Sequence, residues 1–206
     1  MIIVYICIRI NTIKIYIFYA FEQDTTPLYT TAKNVFTQEE CSKIIEIGKS
    51  LNLQNAGLVG NNKGDEKIRK SNVSWIRPEE QYKWIFERVR KFVVYINDNS
   101  FKFDIHGLNE GLQFTHYQAP GGHYGAHIDK HYNYIIRRLS FSIILNDPRE
   151  FDGGDLLLFD GAQGTKMVKE LSAIIMFPSY VLHQVTPVTR GERFSLVGWV
   201  TGKNIK

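Results

Sequence analysis

The sequence contains few cysteines, and this scarcity excludes two classes of protein. Only Cys7 and Cys41 occur among 206 residues, and their spacing matches no zinc-binding motif. Two cysteines also make no disulfide framework of the kind that stabilises small secreted domains. We therefore expect both thiols to be reduced, with Cys41 on the apolar face of a helix, and a cytoplasmic location.

The chain also lacks a strong imbalance of charge. It has 25 basic and 21 acidic residues, which give a formal net charge of +4. These charges are dispersed rather than clustered as in a nucleic-acid-binding surface. Nucleic acid is therefore not favoured as a partner, which leaves a peptide or a small molecule among the candidates. The length suits one packed domain, as a monomer or a homodimer.

No long uncharged apolar run is present either. Residues 1–20 are rich in Ile and Tyr but are interrupted by Arg9 and Lys14, so a membrane-spanning helix is not favoured. The segment also has no basic start before its apolar stretch and no evident cleavage site, so it does not match a signal peptide. Its alternating pattern predicts one or two strands. We assign residues 1–33 to an N-terminal strand or extension, and residues 34–206 to the main domain.

Two segments have the pattern of amphipathic helices. Thr37-Gln-Glu-Glu40 has the form of a capping box, and apolar residues follow at helical spacing as far as Leu51. Pro78 and the two acidic residues after it predict the start of a second helix, which would end at residues 97–99. We expect these helices to pack on a sheet.

Short strands separated by turns account for the rest of the chain. Residues 67–76 alternate and predict one strand, on which an exposed Arg69 and a core Trp75 are one interpretation. Such a series predicts a mainly β, antiparallel fold such as a barrel, a sandwich or a jelly roll. The further predicted strands cover residues 101–105, 112–118, 123–129, 138–145, 155–159, 165–168, 172–177, 181–186 and 193–201.

The triplet His127-Ile128-Asp129 suggests a metal site. Side chains two apart on a strand point to the same face, so the imidazole and the carboxylate would converge. A chance His-x-Asp is expected in about a quarter of chains of this composition, so the motif needs support. His183, 54 residues further on, is the best candidate for a third ligand. Two His and one carboxylate that leave positions open are typical of non-haem Fe(II) oxygenases.

A second group of residues has the character of a carboxylate-binding site. Arg193 and Ser195 would share one strand face and would present a guanidinium fork and a hydroxyl. Tyr117 would lie on one face of its strand with Gln113 and Thr115. A metal triad together with a carboxylate clamp implies a metal-chelating co-substrate that carries a second acid group.

Two zinc-dependent alternatives use the same histidines. A metalloprotease helix with His123 and His127 as ligands requires Glu after the first His, but Tyr124 stands there, and the glycines around it argue against a helix. A hydrolase with a His127, Asp129 and His183 zinc site would need a general base, and the sequence offers no clear one.

The order of these elements resembles a known family, the 2-oxoglutarate- and Fe(II)-dependent dioxygenases of the prolyl 4-hydroxylase type. The similarity is greatest to the PKHD-type hydroxylases of bacteria and phages, and it spans about residues 34–203. The resemblance implies a double-stranded β-helix, or jelly roll, with N-terminal helices packed on one sheet. The elements that carry it are Tyr117, His127-x-Asp129, Gly153-Gly154, His183 and Arg193-x-Ser195.

The resemblance also implies a reaction and its cofactors. It implies Fe(II) bound by His127, Asp129 and His183, 2-oxoglutarate bound by Tyr117, Arg193 and Ser195, O₂ as co-substrate, and ascorbate among the candidate cofactors. The implied reaction is hydroxylation of an unactivated C–H bond of a prolyl residue or proline, with release of succinate and CO₂. Oxidation of a nucleobase or another small molecule is the alternative.

By the same resemblance, the substrate side of the pocket would be formed by Tyr124, Arg69 and Trp75, and its floor by Trp199. Arg138 and Asn146 receive no definite role.

Overall fold

The structure is mainly β, with two α-helices, as the sequence predicts. The computed structural model describes residues 26–56, 65–129 and 136–203, and every structural statement below refers to these residues. The predicted N-terminal strands and Cys7 lie outside them. Within these ranges, no helix is both long enough and apolar enough to cross a membrane.

The described helices are α1 (Gln38–Ser50) and α2 (Lys83–Ile96). A 3-10 turn at Glu80–Tyr82 precedes α2, a π-helical turn at Asn97–Phe101 follows it, and another 3-10 turn lies at Pro148–Glu150. The described strands are β1 (Thr30–Ala32), β2 (Gln54–Asn55), β3 (Arg69–Lys70), β4 (Asn72–Ile76), β5 (Ile105–Gly107), β6 (Leu112–Gln118), β7 (His123–His127), β8 (Arg137–Ile144), β9 (Asp152–Gly153), β10 (Leu156–Phe159), β11 (Gly164–Lys166), β12 (Ile174–Pro178), β13 (Leu182–Val185), β14 (Val188–Arg190) and β15 (Glu192–Gly202).

The strands form two main antiparallel sheets. The major sheet has the order β1-β12-β8-β15-β6-β4-β2, with β5 also paired to β15. The minor sheet has the order β11-β10-β13-β7-β3, and β14 and β9 form a separate two-stranded ladder. The strands predicted to carry the carboxylate clamp, β6 and β15, are therefore neighbours in the major sheet. Those predicted to carry the histidines, β7 and β13, are neighbours in the minor sheet.

Both faces of the major sheet are buried, and alternate residues show this. Ile174 and Met176 of β12 pack in an apolar cluster with the two helices. Ile175 and Phe177 of the same strand pack in a second cluster with residues of the minor sheet. Burial of one such side chain contributes about 1.5–3 kcal/mol, so the strand is held from both sides. The helices thus cover one face of the major sheet, and the minor sheet covers the other.

The start of α1 has the predicted capping box. The Glu40 N–H donates to Thr37 Oγ1 (3.2 Å), and the Thr37 N–H donates to Glu40 Oε2 (2.9 Å). Glu40 also accepts from Arg88 of α2, which ties the two helices together. A Cβ at Gly48 would lie 2.2 Å from the Phe114 ring, so glycine is required for α1 to approach the sheet this closely.

The predicted strand at residues 101–105 is wrong. The helical turn continues to Phe101, and β5 begins only at Ile105. The side chain of Asn97 stabilises this end, because its amide donates to the Phe103 carbonyl and accepts from the Phe103 N–H, both at 3.0 Å. Four short strands, β1, β2, β9 and β14, were not predicted, since two or three residues are too few to show a period-two pattern.

The segment predicted as one strand at residues 67–76 is divided between the two sheets. Strand β3 pairs with β7 in the minor sheet, whereas β4 pairs with β6 in the major sheet. Ser71 lies between them, where the chain crosses from one sheet to the other. Arg69 is consequently only 8% exposed and Trp75 is 40% exposed. The interpretation of an exposed Arg and a core Trp is therefore wrong for both residues.

Candidate metal centre and carboxylate pocket

A cavity of about 490 Å³ opens between the two sheets. It receives side chains from β6, β8 and β15 of the major sheet and from β7 and β13 of the minor sheet. All nine side chains proposed from the sequence for metal, co-substrate and substrate binding line this one cavity: Arg69, Trp75, Tyr117, Tyr124, His127, Asp129, His183, Arg193 and Ser195.

Three potential metal ligands meet on the minor-sheet side. His127 and His183 are direct partners in the pairing of β7 with β13. His127 Nε2 lies 3.7 Å from Asp129 Oδ1, and His183 Nε2 lies 3.4 Å from Asp129 Oδ2. One ligand atom from each of the three residues lies within 4.8 Å of the others. Residues 54 positions apart in the chain therefore form one compact donor set.

The hydrogen bonds of both imidazoles leave the same nitrogen free. His127 Nδ1 lies 2.8 Å from the Gly125 carbonyl, and His183 Nδ1 lies 2.9 Å from the Val181 carbonyl. A carbonyl only accepts, so Nδ1 carries the proton in each ring and Nε2 keeps its lone pair. Burial, together with His183, lowers the pKa of His127 to about 4. His127 is therefore neutral at pH 7, as a metal ligand must be.

Asp129 is positioned by a contact outside the strand ladder. Strand β7 ends at His127, so the predicted strand at residues 123–129 is two residues too long. The Asp129 N–H donates to the Ser179 carbonyl (3.0 Å), which directs the carboxylate into the cavity. Burial acts to raise the pKa of Asp129, but His183 and His127 outweigh it and hold that pKa below its usual range. The carboxylate is thus ionised beside the two imidazoles.

A buried guanidinium occupies the major-sheet side. Arg193 is 2% exposed, and its Nη1 donates to Ser195 Oγ at 2.9 Å. Its Nε is buried without an acceptor, and no described ion pair involves this arginine. Burial lowers its pKa, which Tyr117 and Asp155 partly offset. A buried cation with a free donor is expensive unless an anion partners it, so this part of the cavity suits a carboxylate.

The strand pairing explains why these residues share one face. Arg193 is paired with Tyr117, and Ser195 with Thr115, across β15 and β6. The Tyr117 ring is only 3% exposed, and the Arg193 guanidinium lies 5.3 Å from its centre. The predicted placement of Gln113, Thr115 and Tyr117 on one strand face agrees with the cavity lining.

Aromatic and apolar residues surround the mouth of the cavity. Trp75 packs on Trp199 with ring centres 5.9 Å apart, and the Arg137 guanidinium lies 3.9 Å from the Trp199 ring centre. Ile68 and Ile128 are each 43% exposed at the same opening. These side chains give a substrate an apolar surface to pack against.

Three polar residues without a predicted role have structural contacts. The Arg138 guanidinium donates to the Lys203 carbonyl. The Asn146 amide donates to the Glu192 carbonyl (2.9 Å) and accepts from the Phe194 N–H (2.9 Å), which fixes the start of β15. His116 contacts Glu192 at 2.9 Å, away from the cavity lining.

Sequence reasoning missed several residues of the cavity wall, notably Ser140 and Ser142. Both belong to β8, whose other central residues are apolar. Two serines spaced two apart in an apolar strand were the available signal, since such a pair faces one side of the sheet.

Comparison with known proteins gives this arrangement a context. Residues 112–201, which contain both halves of the site, match the model of the 2OG-Fe(II) oxygenase superfamily. This chain resembles the PKHD-type 2-oxoglutarate/Fe(II) oxygenases. A PKHD-type hydroxylase of Nitrosomonas europaea is 37% identical over 91 residues, which cover 40% of this chain and 39% of that protein. The chain thus spans about two fifths of the length of the curated relatives it matches.

Solved structures support the fold over a longer range. A prolyl-4-hydroxylase of Pseudomonas putida has a TM-score of 0.68 at 22% identity, with 86% of this chain and 94% of that chain covered. A Trichoplax adhaerens prolyl hydroxylase, in complex with a hypoxia inducible factor oxygen degradation domain peptide fragment, has a TM-score of 0.72 at 19% identity, with 85% and 84% covered. The predicted jelly-roll core and the predicted family resemblance are confirmed.

Proposed function

We propose that this chain is an Fe(II)- and 2-oxoglutarate-dependent dioxygenase that hydroxylates an unactivated C–H bond. The observation that carries the proposal is that one cavity contains a donor set of His127, Asp129 and His183 and the buried guanidinium of Arg193, which forms no described ion pair. The donor set matches the ligands that Fe(II) requires, and the guanidinium matches the distal carboxylate of the co-substrate.

The donor set suits Fe(II) in its chemistry. Two imidazoles and one carboxylate form the two-His, one-carboxylate set of non-haem iron oxygenases, which leaves coordination positions open. The carbonyls of Gly125 and Val181 hold the imidazoles with Nε2 free, as outer partners of metal-binding histidines do. When bound, iron allows O₂ to oxidise 2-oxoglutarate to succinate and CO₂ while the second oxygen atom enters the substrate C–H bond.

The role of Arg193, Ser195 and Tyr117 is to orient the co-substrate. A carboxylate at Arg193 would accept from the guanidinium, including the Nε that has no acceptor, and would balance a charge that is now unpaired. The Ser195 hydroxyl and the Tyr117 phenol would be its further partners. Because these three residues belong to paired strands, they would hold the acid in one orientation.

We further propose a prolyl residue or free proline as the substrate. The relative from Nitrosomonas europaea is named a hydroxylase, and the Pseudomonas putida and Trichoplax adhaerens proteins are named prolyl hydroxylases. The apolar mouth around Trp75 would hold a pyrrolidine ring and exclude water from the reacting carbon. The cytoplasmic location, the domain boundary at residue 34 and the oligomeric state stay predictions.

The two alternatives receive less support. A zinc hydrolase would need a general base, and Asp129 is the only acid among the described residues that line the cavity. A basic groove near Arg69, Lys70 and Arg77 would favour oxidation of a nucleobase. Arg69 is instead buried in the cavity, and the Lys70 amine donates to the Pro120 carbonyl.

The deciding experiment measures succinate formed from 2-oxoglutarate in the presence of Fe(II), O₂ and ascorbate. Free proline, proline-containing peptides, nucleotides and a blank would be compared, and products would be searched for a mass increase of one oxygen atom. Succinate formation that requires Fe(II) supports the proposal. Absence of succinate in every arm, including the blank, would refute it.

A further inference from the structure

The cavity contains a second buried guanidinium that the proposed chemistry does not use. Arg69 is 8% exposed and lines the cavity from β3. No described ion pair involves it, whereas Arg137 at the same cavity binds both oxygens of Glu110 (2.7 and 2.6 Å). A buried cation without an acid carries a large desolvation cost, so its placement calls for an anionic partner.

The described contacts of Arg69 are all neutral. Nε donates to Ser71 Oγ (2.9 Å), and Nη2 donates to Gln113 Oε1 (3.0 Å). The guanidinium also lies 4.4 Å from the centre of the Tyr124 ring. These contacts fix the plane of the guanidinium without neutralising its charge. The group is therefore held in one orientation without a described acid partner.

A single co-substrate does not account for both arginines. Arg69 binds Gln113 and Arg193 lies against Tyr117, at positions four residues apart on β6. If Arg193 holds one end of 2-oxoglutarate, the other end is required at the metal, so Arg69 remains available for a different anion.

We propose that Arg69 binds a carboxylate of the primary substrate, so that the enzyme acts on a free acid rather than on an internal residue of a peptide chain. This inference rests on the function proposed above and narrows its substrate class to free proline, a related amino acid or a C-terminal residue. An internal residue has only neutral carbonyls beside its ring, and these would leave the charge of Arg69 unbalanced.

The surroundings of Arg69 are arranged for this role. The Tyr124 ring contacts the Arg69 guanidinium. It also stacks on the His127 imidazole, with ring centres 3.6 Å apart. Arg69 and the candidate metal ligand His127 therefore contact the same aromatic ring. The exposed Ile68 and Trp75 beside it supply apolar surface for the carbon skeleton of the substrate.

The test compares two probes that differ only in charge, N-acetyl-L-proline and N-acetyl-L-prolinamide. Their affinities for the protein loaded with Mn(II) and 2-oxoglutarate would be measured by calorimetry. We expect the acid to bind about ten- to a hundredfold more tightly than the amide, as a charge-assisted contact implies. Arg69→Gln should remove this preference, because it weakens binding of the acid and leaves binding of the amide unchanged. Arg69→Lys should keep part of the preference, since lysine retains the positive charge but lacks the two-pronged guanidinium.

Arg149→Gln is the matched control, because it removes the same charge from an arginine whose side chain is 91% exposed. It should leave the preference unchanged. Equal binding of the two probes by the wild-type protein, or binding of neither, would overturn the inference, and this result holds even if Arg69→Gln fails to fold. An equal loss of 2-oxoglutarate affinity in Arg69→Gln would assign the residue to the co-substrate instead. Failure of the wild-type protein to bind 2-oxoglutarate would refute the proposed function itself.

Discussion

Replacement of Arg193 by methionine separates the effect of its buried charge on stability from its effect on 2-oxoglutarate binding. Methionine is an unbranched side chain that fills much of the same space but has no charge. In the protein without ligands, Arg193 has a single hydrogen bond, to Ser195, and a buried Nε without an acceptor. We therefore expect Arg193→Met to leave the ligand-free fold as stable as the wild type or more stable, while it abolishes tight binding of 2-oxoglutarate.

The magnitudes follow from the contacts. Replacing buried charges by apolar side chains of similar volume is neutral or stabilises by about 1–4 kcal/mol. The lost bond to the Ser195 hydroxyl offsets about 1 kcal/mol of this gain. Loss of a charge-assisted carboxylate contact weakens the binding of 2-oxoglutarate by about ten- to a hundredfold. At a ligand concentration of about 100 times the wild-type Kd, ligand stabilisation should fall from about 2.7 kcal/mol to between about 0.4 and 1.4 kcal/mol.

The assay is thermal unfolding with Mn(II), with and without 2-oxoglutarate. For a chain of this size, about 1 kcal/mol corresponds to roughly 2–4 °C, so the expected loss of the ligand-induced shift is measurable. Arg190→Met is the control, because Arg190 forms an exposed ion pair with Asp152 and should keep the full shift. A ligand-free variant that unfolds many degrees earlier, together with an intact 2-oxoglutarate shift, would show that Arg193 is a structural residue.

Three other changes test neighbouring parts of the argument. His127→Ala should abolish binding of Mn(II) or Fe(II) in equilibrium dialysis while the fold persists. The control His123→Ala, four residues earlier, should still bind the metal. Stoichiometric metal in His127→Ala would contradict the ligand role of His127. Gly154→Ala should weaken 2-oxoglutarate binding and lower the free energy of unfolding by about 1–2 kcal/mol. The reason is that Gly154 has a φ of +61° and that the new Cβ would lie 2.8 Å from Arg193 Cδ. Gly161→Ala is the control, because its Cβ would have no atom within 4 Å, and it should change neither 2-oxoglutarate binding in calorimetry nor thermal unfolding. Burial raises the pKa of Cys41 to about 11 from 9.0, so the folded state keeps the proton more tightly and should lose stability as pH rises from about 9 to 11. In a Cys7→Ser background, Cys41 should therefore react with thiol reagents at pH 8 only on unfolding, and rapid labelling of the folded protein would contradict its burial.

The strand pattern and the order of motifs were enough to predict much of the fold. Strand β6 has the predicted bounds, 112–118, because polar and apolar residues alternate along it and a turn follows it. The start of α1 was predicted equally well, since Thr37 and Glu40 form a local capping box that depends on no distant residue. Elements specified by contacts within a few residues are the ones that sequence patterns describe best.

Elements that depend on distant contacts were predicted less well. Asp129 lies beyond the end of β7, and its direction is set by the carbonyl of Ser179, which is 50 residues away. The π-helical turn that ends at Phe101 depends on an asparagine side chain that competes with the backbone for hydrogen bonds. Neither contact leaves a periodic trace in the sequence, so both element ends were misplaced.

The reversal at Arg69 and Trp75 has the same origin and bears on function. Alternation places both side chains on one face of a continuous strand, but the chain changes sheets at Ser71, so the two residues belong to different walls of the cavity. Propensity alone would bury Trp75 and expose Arg69. The fold does the opposite, with an exposed indole at the mouth and a buried cation inside. Neither arrangement favours the stability of the ligand-free protein, whereas each supplies a contact for a bound acid with an apolar skeleton. A cavity that contains two guanidiniums without described acid partners is therefore consistent with the proposed binding of two anions, a co-substrate and a substrate.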